Sequence, residues 1–217
     1  MSGSFLLSDK LERYIHKYGI NETNIEEELR LLTLKEYSKS AHLQVSPDQS
    51  EFLKILIKIG DYKNILELGT YLGYSTLGMA LATSGQILTI DKDDRFIKIA
   101  KNFWEKSKVD RKIKFKNGIA IDELEKLTER SFDMIFVDAD KTNNIRYYEK
   151  CKRLLTNDGI VIFDNILWKG KVSEDTKDPK VIKIKEFNSY VKNDNYFEIS
   201  LISIGDGMML CKKRITK

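Results

Sequence analysis

The sequence predicts an α/β fold: a mostly parallel sheet with helices on both faces, preceded by a helical extension. Three observations carry that expectation. From residue 63 onward, short apolar runs alternate with stretches long enough for helices. Most of the runs are nearly continuous rather than alternating in polarity, as strands covered on both faces require. The last two are separated only by Gly205, Asp206 and Gly207, a loop short enough to make them an antiparallel hairpin.

Residues 1–50 form the extension. The segments LLSDKLERYIHKYG and NETNIEEELRLLTLKEYSKSAHLQV carry helical periodicity, with Ser8 or Asn21 as N-caps, because a short polar side chain accepts from the free amides of a first turn. The helix in SPDQSEFLKILIKIGD is better marked. Ser46 is its N-cap, Pro47 its first residue and Gln49 its capping-box partner, while Phe52, Leu53, Leu56 and Ile57 share one face. An α/β core is expected over 51–217, making 1–217 one domain. Its runs are NILELG, QILTID, KIKFKNG, FDMIFVDAD, DGIVIFDN, FEISLISIG and GMMLCKKR. Between the first five lie YSTLGMALATS, DDRFIKIAKNFWEKS, IDELEKLTER and NNIRYYEKCKRLLTN, each long enough for a right-handed crossover helix.

Composition removes several classes of function. The 217 residues hold 37 Lys+Arg, 33 Asp+Glu, two His and two Cys, with 41% apolar content and a net charge of +4. Disorder does not suit so many apolar residues, nor a disulfide scaffold two distant cysteines, Cys151 and Cys211. No apolar run reaches the roughly 18 residues of a membrane span, and MSGSFLLSDKLERYIHKYG lacks the pattern of a leader, so a cytoplasmic protein with no membrane partner is expected. The basic excess is dispersed among acids and points only faintly to nucleic acid.

The first run of the core ends in ILELGTYLGYST, with Glu67, Gly69 and Gly73 before a helix. Glycine there permits a sharp strand-to-helix turn and lets a ligand approach the backbone. The second run ends in Asp91, an acceptor placed for the two hydroxyls of a ribose. The spacing is not that of the dinucleotide fingerprint, and Glu67 is a poor neighbour for a pyrophosphate. An acidic loop suits a sulfonium, as in S-adenosylmethionine. Each residue alone would equally serve a tight turn or a helix cap; the ordered set points to the cofactor. Gly118, Ile119 and Ala120 end the third run on the same rim, where small residues would admit an adenine.

The fourth run ends in Asp138, Asp140 and Lys141, the fifth in Asp164 and Asn165. Neighbouring strands would bring Asp138, Asp164 and Asn165 together at the carboxyl edge of the sheet. Two carboxylates and an amide oxygen make a hard, all-oxygen half-shell suited to Mg²⁺, Mn²⁺ or Ca²⁺. Lys141 is a candidate general base if burial and nearby positive charge depress its pKa. Strand-end caps and a surface ion pair with Asp140 are the plainer readings of the same residues.

The strings ELGTYLGYS, FVDADK, FDNILW and IGDGMMLCKKR, with QVSPDQSEFL ahead of them, resemble the cation-dependent class I O-methyltransferases, which include plant caffeoyl-CoA and animal catechol O-methyltransferases. The resemblance covers nearly the whole chain. It implies a Rossmann-like class I methyltransferase fold with a seven-stranded sheet of order 3-2-1-4-5-7-6, the final strand reversed, and a homodimer. It implies S-adenosylmethionine contacts from Val45, Glu67, Gly69, Ser75, Asp91, Ala120 and Asp138, metal ligation by Asp138, Asp164 and Asn165, Lys141 as the base and Trp168 as a wall of the acceptor pocket. Plant members place an arginine of their coenzyme A site where this chain has Tyr196, which reads against a coenzyme A thioester acceptor. Lys169, Lys171 and Lys177, in the loop beyond Trp168, would meet a phosphate or be solvated. The expected reaction is cation-dependent methyl transfer to a small vicinal dihydroxy aromatic. The alternatives are a tRNA wobble hydroxyuridine, which also presents two adjacent oxygens, and a non-catalytic nucleotide-binding module.

Overall fold

The structure, a computed structural model, describes residues 7–214. Residues 1–6, part of the stretch read above as lacking a leader, lie outside the described residues.

Three helices open the chain: α1 (Asp9–Gly19), α2 (Asn24–Glu36) and α3 (Pro47–Gly60). Ser8 caps α1 as expected, its side chain accepting from the Leu11 amide. Asn21 does not cap α2. Thr23 does, in a reciprocal pair with Glu26, because only a residue directly ahead of the helix can reach its third amide while a carboxylate there reaches back. At α3 the Gln49 side-chain oxygen accepts from the Ser46 amide at 2.9 Å and lies 3.0 Å from the Ser46 hydroxyl.

The strands are β1 (Asn64–Leu68), β2 (Gln86–Asp91), β3 (Ile113–Asn117), β4 (Phe132–Val137), β5 (Leu155–Asp164), β6 (Phe197–Ile202) and β7 (Met208–Lys213). They form one sheet in the order β3-β2-β1-β4-β5-β7-β6, in which β7 alone runs against the rest. That is the expected order. The remaining helices are α4 (Tyr74–Ala82), α5 (Ile97–Lys106), α6 (Ala120–Leu124), α7 (Asn144–Leu154) and α8 (Pro179–Asn193).

The near-continuous apolar runs are explained by two cores, one on each face of the sheet. Ile65, Met134, Phe136, Ile160 and Ile162 pack with α2 to α5, while Leu66, Leu68, Ile135, Val137, Val161 and Phe163 pack with α6 to α8. Successive residues of one strand point to opposite faces, so both sets must be apolar. An ion pair and a hydrogen bond join the extension to the first face. Lys54 reaches Glu26 at 3.1 Å, and Arg30 reaches Glu22, which also accepts from the Tyr74 hydroxyl.

Two crossover segments are shorter than the sequence suggests. The helix expected over IDELEKLTER stops at Leu124, because Arg153 donates to the Leu124 and Leu127 carbonyls at 2.8 and 3.0 Å and so satisfies a chain that turns away. Helix α7 ends at Leu154, where β5 begins early and shifts register against β4 between Phe132 and Met134.

Candidate active site

The chain leaves β1 through Gly69, whose φ is +99°, and enters α4 through Gly73, at +78°. A Cβ on Gly69 would lie 2.5 Å from the Asp138 carbonyl oxygen, so the turn needs glycine both for its dihedral and for the approach of β4's end. Asp91 braces this loop: one carboxylate oxygen accepts from the Thr70 and Tyr71 amides at 2.8 and 3.1 Å, the other from the Asp93 amide at 2.9 Å. The second oxygen therefore keeps a lone pair. Gly118 donates to the Asp91 carbonyl at 2.9 Å, which sets Gly118 to Ala120 on the same rim. Ala120 is buried at the start of α6. Val45, ahead of α3, is buried in the core that α2 to α5 form with the sheet.

Glu67 is fully buried and accepts hydrogen bonds from the hydroxyls of Thr76 and, at 2.5 Å, Ser75. Ser75, expected at the cofactor, is thus turned toward Glu67. Burial pushes the Glu67 carboxyl up to about 7, against the opposing pull of the Ser75, Thr76 and Thr89 hydroxyls.

Asp138 follows Val137, and Asp164 follows Phe163, its partner in the β4–β5 register, so the two carboxylates stand at neighbouring strand ends. Asp164 is 2% exposed, and one of its oxygens accepts from Gln49 Nε2 at 2.6 Å and from the Asn165 amide at 2.7 Å. Lys141, also buried, donates to Asp138 at 2.7 Å rather than pairing with Asp140. Burial raises the pKa of both acids; the negative charge of Asp138 adds to the effect on Asp164, and Lys141 opposes it at each. Asn165 follows with φ +55°, and no hydrogen bond holds its side-chain amide among the described residues. No group of three or more His, Cys, Asp or Glu gathers among the described residues. The set here is two acids and an amide, an all-oxygen group that fits a hard cation.

Beyond Asn165 the chain is held by the β6–β7 turn. Ile166 donates to the Gly207 carbonyl at 3.1 Å, Leu167 to the Asp206 carbonyl at 3.0 Å and Lys169 to the Asp206 carboxylate at 2.5 Å. Trp168 and Lys169 have φ of +47° and +53°, and the Lys180 ammonium lies 5.2 Å from the centre of the Trp168 ring. Lys169, Lys171 and Lys177 are exposed.

A family model described as O-methyltransferase matches residues 16–214. The chain belongs to the O-methyltransferase family. It is 36% identical over 223 residues to Tapetum-specific methyltransferase 1 of Arabidopsis thaliana, covering 97% of this chain and 96% of that one. To the caffeoyl-CoA O-methyltransferase of Populus kitakamiensis it is again 36% identical, covering 96% and 95%. Among solved structures, the O-methyltransferase TomG of Streptomyces achromogenes, in complex with SAM, superposes with a TM-score of 0.85 at 25% identity over 94% of this chain and 96% of that one. The Bacillus cereus O-methyltransferase, in complex with SAH, gives 0.83 at 28% identity over 94% and 97%. The expectation of an S-adenosylmethionine-dependent O-methyltransferase is met, and the non-catalytic module is set aside.

Two residues of this methyltransferase's candidate site were not legible in the sequence. Gln49 was visible as a capping residue and Asp206 as part of a turn, yet neither signal names a partner 115 or 37 residues away. Tyr196 lies just before β6, which runs parallel to β5, so it sits at the edge of the sheet opposite Asp138 and Asp164.

Glu67 gives this methyltransferase a pH signature. Its folded pKa lies above the unfolded value, so the stability it contributes is present at low pH and lost as pH rises from about 4.5 toward about 7. Glu67→Gln removes that loss. The variant's melting temperature should exceed the wild type's at pH 8 and converge on it near pH 4.5, with a gain of at most ~3 kcal/mol at the upper end. A gap independent of pH would count against the protonated buried acid.

Proposed function

We propose that this methyltransferase transfers the methyl group of S-adenosylmethionine to a hydroxyl of a small vicinal dihydroxy aromatic, with a divalent cation, Mg²⁺ foremost, held by Asp138, Asp164 and Asn165. One observation carries the reading: a buried acid, Asp164, and a half-buried one, Asp138, stand at adjacent strand ends, each raised in pKa, with one lysine as their positive neighbour. Like charges so placed call for a cation between them. The name of the Populus relative, caffeoyl-CoA O-methyltransferase, supports an aromatic acceptor.

The cofactor supplies a sulfonium methyl, and a bound cation supplies the charge that lowers the acceptor hydroxyl's pKa. The chain supplies placement. The Gly69–Gly73 turn admits the cofactor to the backbone, Asp91 offers its second oxygen to the ribose, and Ala120 flanks the adenine. Val45, Glu67, Ser75 and Asp138 complete the cofactor's surroundings. With a cation bound between the acids, Lys141, having first released a proton to solvent, would take the acceptor's proton on its neutral Nζ, and Trp168 walls the acceptor. Most of the acceleration comes from holding two reactants in line.

A homodimer and a cytoplasmic location belong to this reading. They are supported by Leu11, Tyr14 and Tyr18 on α1 and Ile55 and Ile59 on α3, all left exposed, and by two free, buried cysteines. No described helix is long and apolar enough to cross a membrane.

The test offers labelled S-adenosylmethionine with a catechol panel and, separately, undermodified tRNA, each with Mg²⁺ or with EDTA. Methylated catechols that disappear in EDTA and return with Mg²⁺ are expected. Transfer to tRNA alone overturns the acceptor, and full activity in EDTA overturns the cation.

A further inference from the structure

The Gln49 amide does two things, and only one belongs to its helix. Its oxygen accepts from the Ser46 amide at 2.9 Å, which is the work of a residue at this position of a helix start, and lies 3.0 Å from the Ser46 hydroxyl, which also reaches the Asp48 carboxylate. Capping therefore settles which end of the amide is oxygen and leaves the nitrogen facing away. The nitrogen then donates to Asp164 at 2.6 Å, across 115 residues, in a site where Gln49 is 3% exposed.

The same Asp164 oxygen also accepts from the Asn165 amide at 2.7 Å. With two donors on one oxygen, its lone pairs are used and the carboxylate cannot rotate freely. The second oxygen is left as the one free to ligate. The β6–β7 turn closes over this arrangement: at Gly205, with φ +57°, a Cβ would lie 2.3 Å from the Gln49 side-chain carbon, so the turn packs directly on the amide and prevents it from swinging out.

We propose that Gln49 is a positioning residue for the cation. Anchored by Ser46 and covered by Gly205, it holds one Asp164 oxygen and thereby presents the other, tying the start of α3 to the carboxyl edge of β5. This rests on the cation reading given above. Outer partners that orient a ligating carboxylate typically account for about 10–100-fold in metal affinity.

The experiment measures Mn²⁺ binding to the full chain in the presence of SAH, from the electron paramagnetic resonance signal of free Mn²⁺, with SAH affinity and melting temperature measured in parallel. Gln49→Met keeps the length of the side chain and removes the donor. Its Mn²⁺ dissociation constant should rise about 10–100-fold while SAH affinity stays within about twofold. Ser46→Ala keeps the Gln49 nitrogen but loosens its anchor, so a smaller rise in the same direction is expected. Should Gln49→Met fail to fold, Gln49→Asn, which withdraws the donor by one methylene and keeps an amide, decides: Mn²⁺ affinity equal to wild type overturns the proposal. Wild-type Mn²⁺ binding with an unchanged Gln49→Met also overturns it while leaving the cation reading intact. Absence of Mn²⁺ binding by the wild type overturns the cation reading and this inference together.

Discussion

Asp164→Asn is expected to lose at least about a hundredfold in methyl transfer and yet to raise the melting temperature of the ligand-free protein at neutral pH. The two effects share a cause. Asp164 is buried beside Asp138, and both its burial and that neighbour's charge penalise the ionised form. An acid with a raised folded pKa contributes stability that is present below its unfolded pKa of about 4 and lost as pH climbs through the folded value. At neutral pH the wild type therefore carries a penalty that a neutral amide does not. Asparagine also keeps an oxygen to accept from Gln49 Nε2 and the Asn165 amide, so the packing need not change. Each unit of relieved shift corresponds to about 1.4 kcal/mol, and each kcal/mol to roughly 2–4 °C in a chain of this size. Thermal melts from pH 4 to 8 check the sign: the variant's advantage should shrink toward pH 4. A variant less stable than wild type at pH 7 would refute this account of the site, as would one retaining full chelator-sensitive activity.

Gly69→Ala is expected to cost SAH binding at least about a hundredfold and to lower the melting temperature by several degrees. At φ +99° any other L-residue is strained, on the order of 1–3 kcal/mol. The added Cβ would also meet the Asp138 carbonyl oxygen at 2.5 Å and its carbon at 2.9 Å. Neither side can retreat cheaply, since Gly69 donates to the Ile90 carbonyl at 2.9 Å and Asp138 to the Leu68 carbonyl at 2.8 Å. The substitution pushes the cofactor turn against the residue that begins the carboxylate site, so both should fail together. Gly118→Ala is the contrast: the atoms nearest its Cβ belong to the Glu123 side chain, which can move, and SAH affinity should stay within severalfold. Calorimetric titration of both variants with SAH distinguishes the cases, and an unimpaired Gly69→Ala would show that the turn has more freedom than its geometry allows.

Much of the site was legible because it lies where local pattern and topology coincide. Asp138 and Asp164 end apolar runs that must be central strands, and a right-handed crossover between those runs makes the strands neighbours. The glycine turn shows itself as a break between a strand pattern and a helix pattern. Failures fell where local signals compete. Asn21 and Thr23 are both good caps, and only the Glu26 pairing decides between them. The segment after Leu124 keeps a helical composition, but Arg153, from another element, ends it.

The sequence by itself determined the two-faced sheet, the positive-φ turn and the chemical groups gathered at the strand ends, because these follow from periodicity, glycine's missing Cβ and the order of the runs. Only the tertiary structure decided what each group faces: Ser75 toward Glu67, Gln49 Nε2 toward Asp164, the Lys169 amide toward Asp206. Periodicity specifies a residue's face but not its partner. Hydrogen bonds reach only about 3 Å, so partners distant in sequence are chosen by how helices and hairpins pack onto the sheet.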